Sequence, residues 1–392
     1  MIRYKHGHCM DTEQSNVFEK HPKKTLAVII LAAFILMDFT AAATLKALGK
    51  FEPSYVPSNV LEATYRKQDP IFHHTLSRNI DFNQAEWGRH YYTIQTNSLG
   101  FKDSEVRDIP LKSNKTRILL MGDSFTEGVG IEFKNTFAGI LQQRLAQNDI
   151  EVLNAAVSSY SPIIYFRKTR YLLETTGLEF DHLIVFIDLS DMEDEAKGYK
   201  FDQQDNVVSR QTIAAVGKTS NDRQAVKKET SFKEFMTQNT VLLGRIRNLS
   251  GWLRNNLRPW KKSLNQHRGM WTLDDKLYAD YGETGLALAD QHMSQLKTLL
   301  DQHGISLTVA VYPWPDQIYH HDIDSRQVRY WQQWSRRNKT GFINLFPAFI
   351  NNNPSPEQTI KTLFIQGDVH WNNKGHQLIA SRLLEAPPFS HR

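Results

Sequence analysis

The chain has one cysteine among 392 residues. An internal disulfide is therefore excluded, and because Cys9 lies upstream of a long apolar run it is not expected to meet an oxidising compartment. Internal repeats and low-complexity tracts are also missing, which removes solenoid and array architectures. Neither standard Gly-rich phosphate loop occurs. His6 and His8 lack the paired spacing of a zinc site. Charge of one sign is scarce overall, with a net +5, yet residues 201–270 carry 13 Lys and Arg against 5 Asp and Glu. That basic segment has no nucleic-acid motif around it. No cofactor, metal or nucleic acid is expected on these grounds. What is present, 40% hydrophobic and 23% charged residues, is a globular composition, sufficient for one large domain or two modest ones.

The first 24 residues are polar and end in Lys23 and Lys24; Thr25 to Leu45 is then almost wholly apolar, with Asp38 the exception. Roughly 20 apolar residues fit one membrane crossing, and the lysines before it, Lys20 included, put the N-terminus in the cytoplasm. The reading is a cytoplasmic tail over 1–24 and an uncleaved transmembrane anchor over 25–45. A cleavable signal, using Ala41 to Ala43, is the alternative. Residues 46–112 have weak periodicity and prolines at 53, 57 and 70, as in an approach segment that packs onto a domain. Within it, Tyr91 to Asn97 reads as a strand entering a tight turn at Asn97-Ser-Leu-Gly100-Phe101.

Over 113–386 the pattern becomes regular. Ile118 to Met121, Glu151 to Asn154, Leu183 to Ile187, Ile305 to Val311 and Phe342 to Leu345 read as strands, separated by stretches of helical spacing such as Leu286 to His303. Alternation of this kind predicts an α/β fold, a three-layer α/β/α sandwich around a five-stranded parallel sheet. A basic helical insertion at about 197–272 interrupts it. There Leu242, Ile246, Leu249, Leu253, Leu257 and Trp260 follow helical spacing, with Arg245, Arg247, Arg254 and Arg258 between them. Such a helix either packs on the domain with its arginines in water or lies on an anionic membrane surface.

Chemistry is concentrated in two places. The first apolar strand ends abruptly in Gly122-Asp123-Ser124, and near the far end stands Asp368-Val-His370-Trp-Asn. A serine at the C-terminal edge of an open α/β sheet lies where such folds place ligands, but it needs a base to become a nucleophile. His370 is the candidate base and Asp368 the group that orients it.

These two blocks resemble those of the SGNH (GDSL-type) hydrolases, a family of esterases and lipases. The Asp-x-His-Trp-Asn spacing, one residue shorter than the commoner form, is similar to that of cell-envelope members, as is the turn at Asn97 to Phe101. The resemblance implies a flavodoxin-like sheet, catalytic Ser124, His370 and Asp368, and an oxyanion hole. The family's Gly donor corresponds to Ser159 and its Asn donor to Ser190, beside the main-chain N–H of Ser124. It implies an ester substrate; together with the single-pass inner-membrane topology and periplasmic catalytic domain expected from the apolar run and its lysines, it favours an acylated carbohydrate outside the cytoplasm. An O-acyltransferase, a lipid esterase at the membrane surface and a non-catalytic polysaccharide-binding scaffold remain open alternatives. Trp314 and Asp191 are candidate substrate contacts. Asp188, Asp191, Glu193, Asp194 and Glu195 read as a solvated acidic loop rather than a cation site, and His376 as a packing or capping residue.

Overall fold

The computed structural model of the protein describes residues 21–51, 58–88, 90–210, 235, 239–256 and 259–389. Expectations for His6, His8, Cys9, Leu257 and Arg258 fall outside the described residues. The chain divides into two compact units, Met1–Val56 with Lys228–Gly251 and Pro57–Lys227 with Trp252–Arg392.

In the larger unit, a helix over Ser58–Tyr65 precedes two antiparallel hairpins, β1 (Arg66–Asp69) with β2 (His73–Leu76), and β3 (Asp81–Trp87) with β4 (His90–Gln95). The approach segment is thus more ordered than its sequence predicts. Its strands are short, and β1 is Arg-Lys-Gln-Asp, with no apolar alternation to reveal it. The central sheet contains β5 (Thr116–Met121), β6 (Ile150–Asn154), β7 (His182–Ile187), β10 (Ser306–Val311) and β11 (Gly341–Asn344), all parallel, in the order β11-β10-β7-β5-β6. β8 (Tyr199–Phe201) and β9 (Val207–Ser209) form a separate hairpin, so the insertion begins as strand rather than helix.

The central strands are buried on both faces, which is why they read as continuous apolar runs. Leu119 lies opposite Leu153 on one side and Leu183 on the other; all three are buried, each contributing roughly 1.5–3 kcal/mol relative to exposure. Helices cover the sheet. Glu283–Gln302 buries Leu286, Ala289, Met293, Leu296 and Leu300, which lie along one face. Asn372 caps Asn373–Leu384 by accepting from the N–H groups of Lys374 and Gly375, a device that stabilises by about 1 kcal/mol.

The smaller unit contains a 26-residue helix, Pro22–Ala47, whose most apolar window has a mean hydropathy of 2.4. It is long and apolar enough to cross a membrane, and it extends past 25–45 at both ends. The insertion's helix runs over Leu242–Asn256. On it Leu242, Ile246, Leu249 and Leu253 are exposed.

Candidate active site

The strand order determines where a site forms. From β5 the chain passes to β6 on one side, then returns to β7, β10 and β11 on the other. Loops leaving β5 and its neighbours therefore diverge, and open α/β sheets bind ligands in the crevice this creates. Asp123 and Ser124 follow β5, Ser158 and Ser159 follow β6, Asp188 to Ser190 follow β7 and Trp314 follows β10.

Ser124 begins a single helical turn, Ser124–Glu127. Gly122 allows the sharp exit from β5, since a Cβ there would sit 2.4 Å from Thr126 Oγ1. Asp123 caps the turn by accepting from the Phe125 N–H at 3.0 Å, and Gly128, with φ +74°, ends it.

His370 arrives from the opposite end of the chain. One oxygen of Asp368 accepts both the His370 N–H (3.0 Å) and its Nδ1–H (2.6 Å). The single intervening residue permits this, because one carboxylate then fixes backbone and ring together. Nε2 is left as acceptor, 2.8 Å from Ser124 Oγ. Phe125 packs against the imidazole at 4.5 Å between ring centroids and Trp87 meets it edge-on at 4.8 Å. Burial would lower the His370 pKa, but the charge and hydrogen bond of Asp368, with Asp123 and Asp188 behind it, hold it above its ordinary value.

Most of the acidic loop is buried rather than solvated, with Glu193 and Asp194 partly exposed. Asp188, Asp191 and Glu195 are buried, and ligand oxygens of Asp123, Asp188 and Asp191 lie within 4.8 Å of one another. One oxygen of Asp188 accepts the N–H (2.7 Å) and hydroxyl (2.5 Å) of Ser190; the other accepts Trp314 Nε1–H (2.7 Å). Asp191 accepts from Tyr165 Oη at 2.9 Å and from the Asp188 N–H at 3.1 Å. Burial, then the charge of Asp188, pushes Asp191 well above the carboxylate range and Asp123 up to about 8, the latter against the pull of His370. Asp188 and Asp191 thus already accept protein hydrogen bonds, as members of a buried polar network.

Two expectations are corrected by these contacts. A hydroxyl has one proton to donate, and that of Ser190 goes to Asp188, so Ser190 does not replace the family's Asn donor in this arrangement. Asp191 is fully buried and presents no surface to a substrate. Trp314 is held by Asp188 and stacks on Phe125 at 5.9 Å. His376 is buried and accepts from the Phe137 N–H at 3.2 Å.

Ser159 has φ +67°, the left-handed region that favours glycine, which suits a position where the resembled family has Gly. Its turn is braced on three sides. Glu127 accepts the Ser158 N–H (2.7 Å), His74 Nε2 bonds the Ser158 carbonyl (2.8 Å), and Tyr199 Oη donates to the Ser159 carbonyl (2.9 Å). Glu127 is itself fixed by two bonds from Arg66, at 2.7 and 2.8 Å. Burial pushes His74 down to about 3, so it stays neutral and Nε2–H is the donor.

Ser124, Ser159, Trp87, Trp314, Arg268 and His370 line a cavity of about 300 Å³. A neighbouring cavity of about 700 Å³ shares Trp87, Ser158 and Ser159 with it and adds Arg66, Lys67 and Tyr199. Trp87, His74, Tyr199 and Arg268 were not singled out from sequence, because they lie in segments without periodic pattern or motif. Lys102, next to the Asn97 turn, was also missed: it donates to the carbonyls of Gly128 (2.7 Å) and Ile131 (2.9 Å), behind the serine.

No protein-family model and no curated protein matches the sequence. Among solved structures, the acetyl xylan esterase AlAXEase is 12% identical, with 69% of this chain and 100% of that chain covered and a TM-score of 0.40. A catalytic mutant of Axe2, an acetylxylan esterase from Geobacillus stearothermophilus, is 12% identical over 70% of this chain and 95% of that one, with a TM-score of 0.38. The psychrotrophic esterase EstA from Pseudoalteromonas sp. is 13% identical over 69% and 96%, at 0.36. Likeness of this degree carries no inference about the activity of this chain. In its own residues, the Gly122-Asp123-Ser124 turn and the Asp368-x-His370 pair that it meets are where the chain resembles the SGNH (GDSL-type) hydrolases.

Proposed function

We propose that the protein is a serine-dependent hydrolase of ester bonds. The observation that carries this reading is the continuous chain Ser124 Oγ to His370 Nε2 at 2.8 Å and His370 Nδ1 to Asp368 at 2.6 Å, opening onto a cavity. In the reaction, Ser124 Oγ attacks the ester carbonyl as His370 takes its proton, and Asp368 stabilises the imidazolium. The proton passes to the departing alcohol, leaving an acyl-serine. Water, deprotonated by the same histidine, then releases the acid and restores Ser124. The main-chain N–H groups of Ser124 and Ser159 serve as oxyanion donors.

The substrate we propose is an acyl ester, an acetyl group above all, on an extracytoplasmic carbohydrate. The 300 Å³ cavity suits a small acyl group, and the larger one beside it has aromatic and polar walls and room for sugar units. In this reading residues 25–45 of the helix Pro22–Ala47 cross the inner membrane and the catalytic unit is periplasmic, as Lys23 and Lys24 before the apolar run suggest. The same adjoining cavity supports a second reading, transfer of the acyl group to a sugar hydroxyl held there.

A fluorophosphonate probe tests the nucleophile without knowledge of the substrate. Wild type should be labelled, and Ser124→Ala should not; equal labelling of both would end the proposal. Acetate release from acetylated polysaccharide that is indifferent to added sugar supports hydrolysis. Acetate recovered on the added sugar supports transfer.

A further inference from the structure

Asp38 is the one acidic residue in the apolar helix Pro22–Ala47, and only 4% of it is exposed, although most of that helix is open. Its carboxylate accepts three backbone N–H groups, those of Val241 (2.9 Å) and Leu242 (2.8 Å) on one oxygen and of Leu243 (2.9 Å) on the other. These belong to the start of the helix Leu242–Asn256, where N–H groups lack intrahelical acceptors and the helix dipole favours an anion. Further along, Lys46 Nζ donates to Asn239 Oδ1 at 2.7 Å, and Phe39 meets Phe235 at 5.9 Å. A lone carboxylate at membrane depth is unfavourable, and orphan N–H groups there are too. Each satisfies the other here.

Among the described residues, the helix so capped has an exposed apolar stripe. Leu242, Ile246, Leu249 and Leu253 fall on one face by spacing, and each is between 44% and 58% exposed. Arg245 is exposed among them, and the sequence adds Arg247 and Arg254 on the same helix.

We infer that Leu242–Asn256 is a second membrane element, an interfacial helix that lies in a bilayer containing anionic phospholipid, docked on the span through Asp38. This rests on the reading that Pro22–Ala47 crosses a membrane. The depths are comparable, with the capped end of the helix the deeper. At 1.5 Å per residue, Asp38 stands about 12 Å along the helix from Lys46, the charged residue that follows the apolar run. Interfacial helices bury their apolar face about 5–10 Å deep. Arg245, exposed beside the stripe, meets lipid phosphates in this reading, and Arg247 and Arg254 add positive charge to the same helix.

The test uses the full chain with Cys9→Ser, in vesicles of phosphatidylethanolamine and phosphatidylglycerol. Single cysteines replace Ile246, Leu249 or Arg245 and carry a nitroxide. Labels at 246 and 249 should relax with oxygen and resist a water-soluble nickel chelate, whereas the label at 245 should respond to the chelate. In vesicles without phosphatidylglycerol, chelate access at 246 and 249 should rise several-fold. Asp38→Leu should raise it likewise while leaving fluorophosphonate labelling of Ser124 unchanged. Equal chelate access at all three positions overturns the inference, as does protection at 246 and 249 from both reagents, which would mean a protein partner or a second copy. Release of the full chain from membranes by alkaline carbonate would instead remove the span reading itself, a distinct outcome.

Discussion

Replacing Ser159 discriminates between a main-chain and a side-chain oxyanion donor. Its φ of +67° costs a residue with a Cβ roughly 1–2 kcal/mol. Ser159→Gly relieves this, while freeing the unfolded chain offsets roughly 0.4–1 kcal/mol. The net effect is a stabilisation on the order of 0.5–1 kcal/mol, seen as a rise in Tm on the order of 1–2 °C. Ser159→Ala keeps the strain and removes only the hydroxyl. Because Glu127, His74 and Tyr199 hold the turn through its main chain, the N–H stays in place in both variants. The kcat for p-nitrophenyl acetate, corrected for active fraction by fluorophosphonate titration, should stay within a few-fold of wild type. A lost oxyanion donor costs about 10²–10³ in kcat. A drop of that size in Ser159→Ala would show that the hydroxyl is the donor, and a lower Tm in Ser159→Gly would show that no strain resides in this turn.

Three further predictions follow from the same contacts. His370→Ala should abolish turnover of p-nitrophenyl acetate, whereas Asp368→Asn should leave a residue of activity; circular dichroism should show both folded, and full activity in His370→Ala would require another base. His370 must be neutral to accept a proton and its pKa is raised, so kcat/KM should climb with pH through a value above about 6.5, and Asp368→Asn, which removes the charge that favours imidazolium, should shift that limb to lower pH. By linkage, the stability this raised pKa contributes is complete below the unfolded value and is lost as pH rises through the folded one, and an Asp368→Asn limb that stays put would contradict the assigned cause. Ser190→Ala should cost far less than an oxyanion donor, since its hydroxyl is given to Asp188; a loss of about 10² or more would make the Ser190 hydroxyl an oxyanion donor.

The five strands of the sheet could be read from sequence because each is a continuous apolar run, and burial on both faces leaves no other composition stable there. Ser124, His370 and Asp368 could be paired because glycine at a strand end and Asp-x-His are local patterns with a chemical reason. Nothing local announces Trp87, His74, Tyr199 or Arg268. Each reaches the crevice from a short hairpin or an irregular segment, and only the packing of those pieces against the turns after β5, β6 and β7 places them there. The same holds for the corrections. Ser190 and Asp191 sit in a run of carboxylates that reads as a solvated loop, and their roles changed once Asp188 was found buried with one oxygen on Ser190 and the other on Trp314. Asp38 is conspicuous in sequence as a charge within an apolar run, yet its partner lies some 200 residues away in the insertion. Sequence by itself determined the five strands of the central sheet, the long apolar helix and the serine turn, since periodicity and turn chemistry act between near neighbours. Tertiary structure decided which hydrogen is donated to which oxygen, because burial leaves a polar group one partner, and the fold alone selects it.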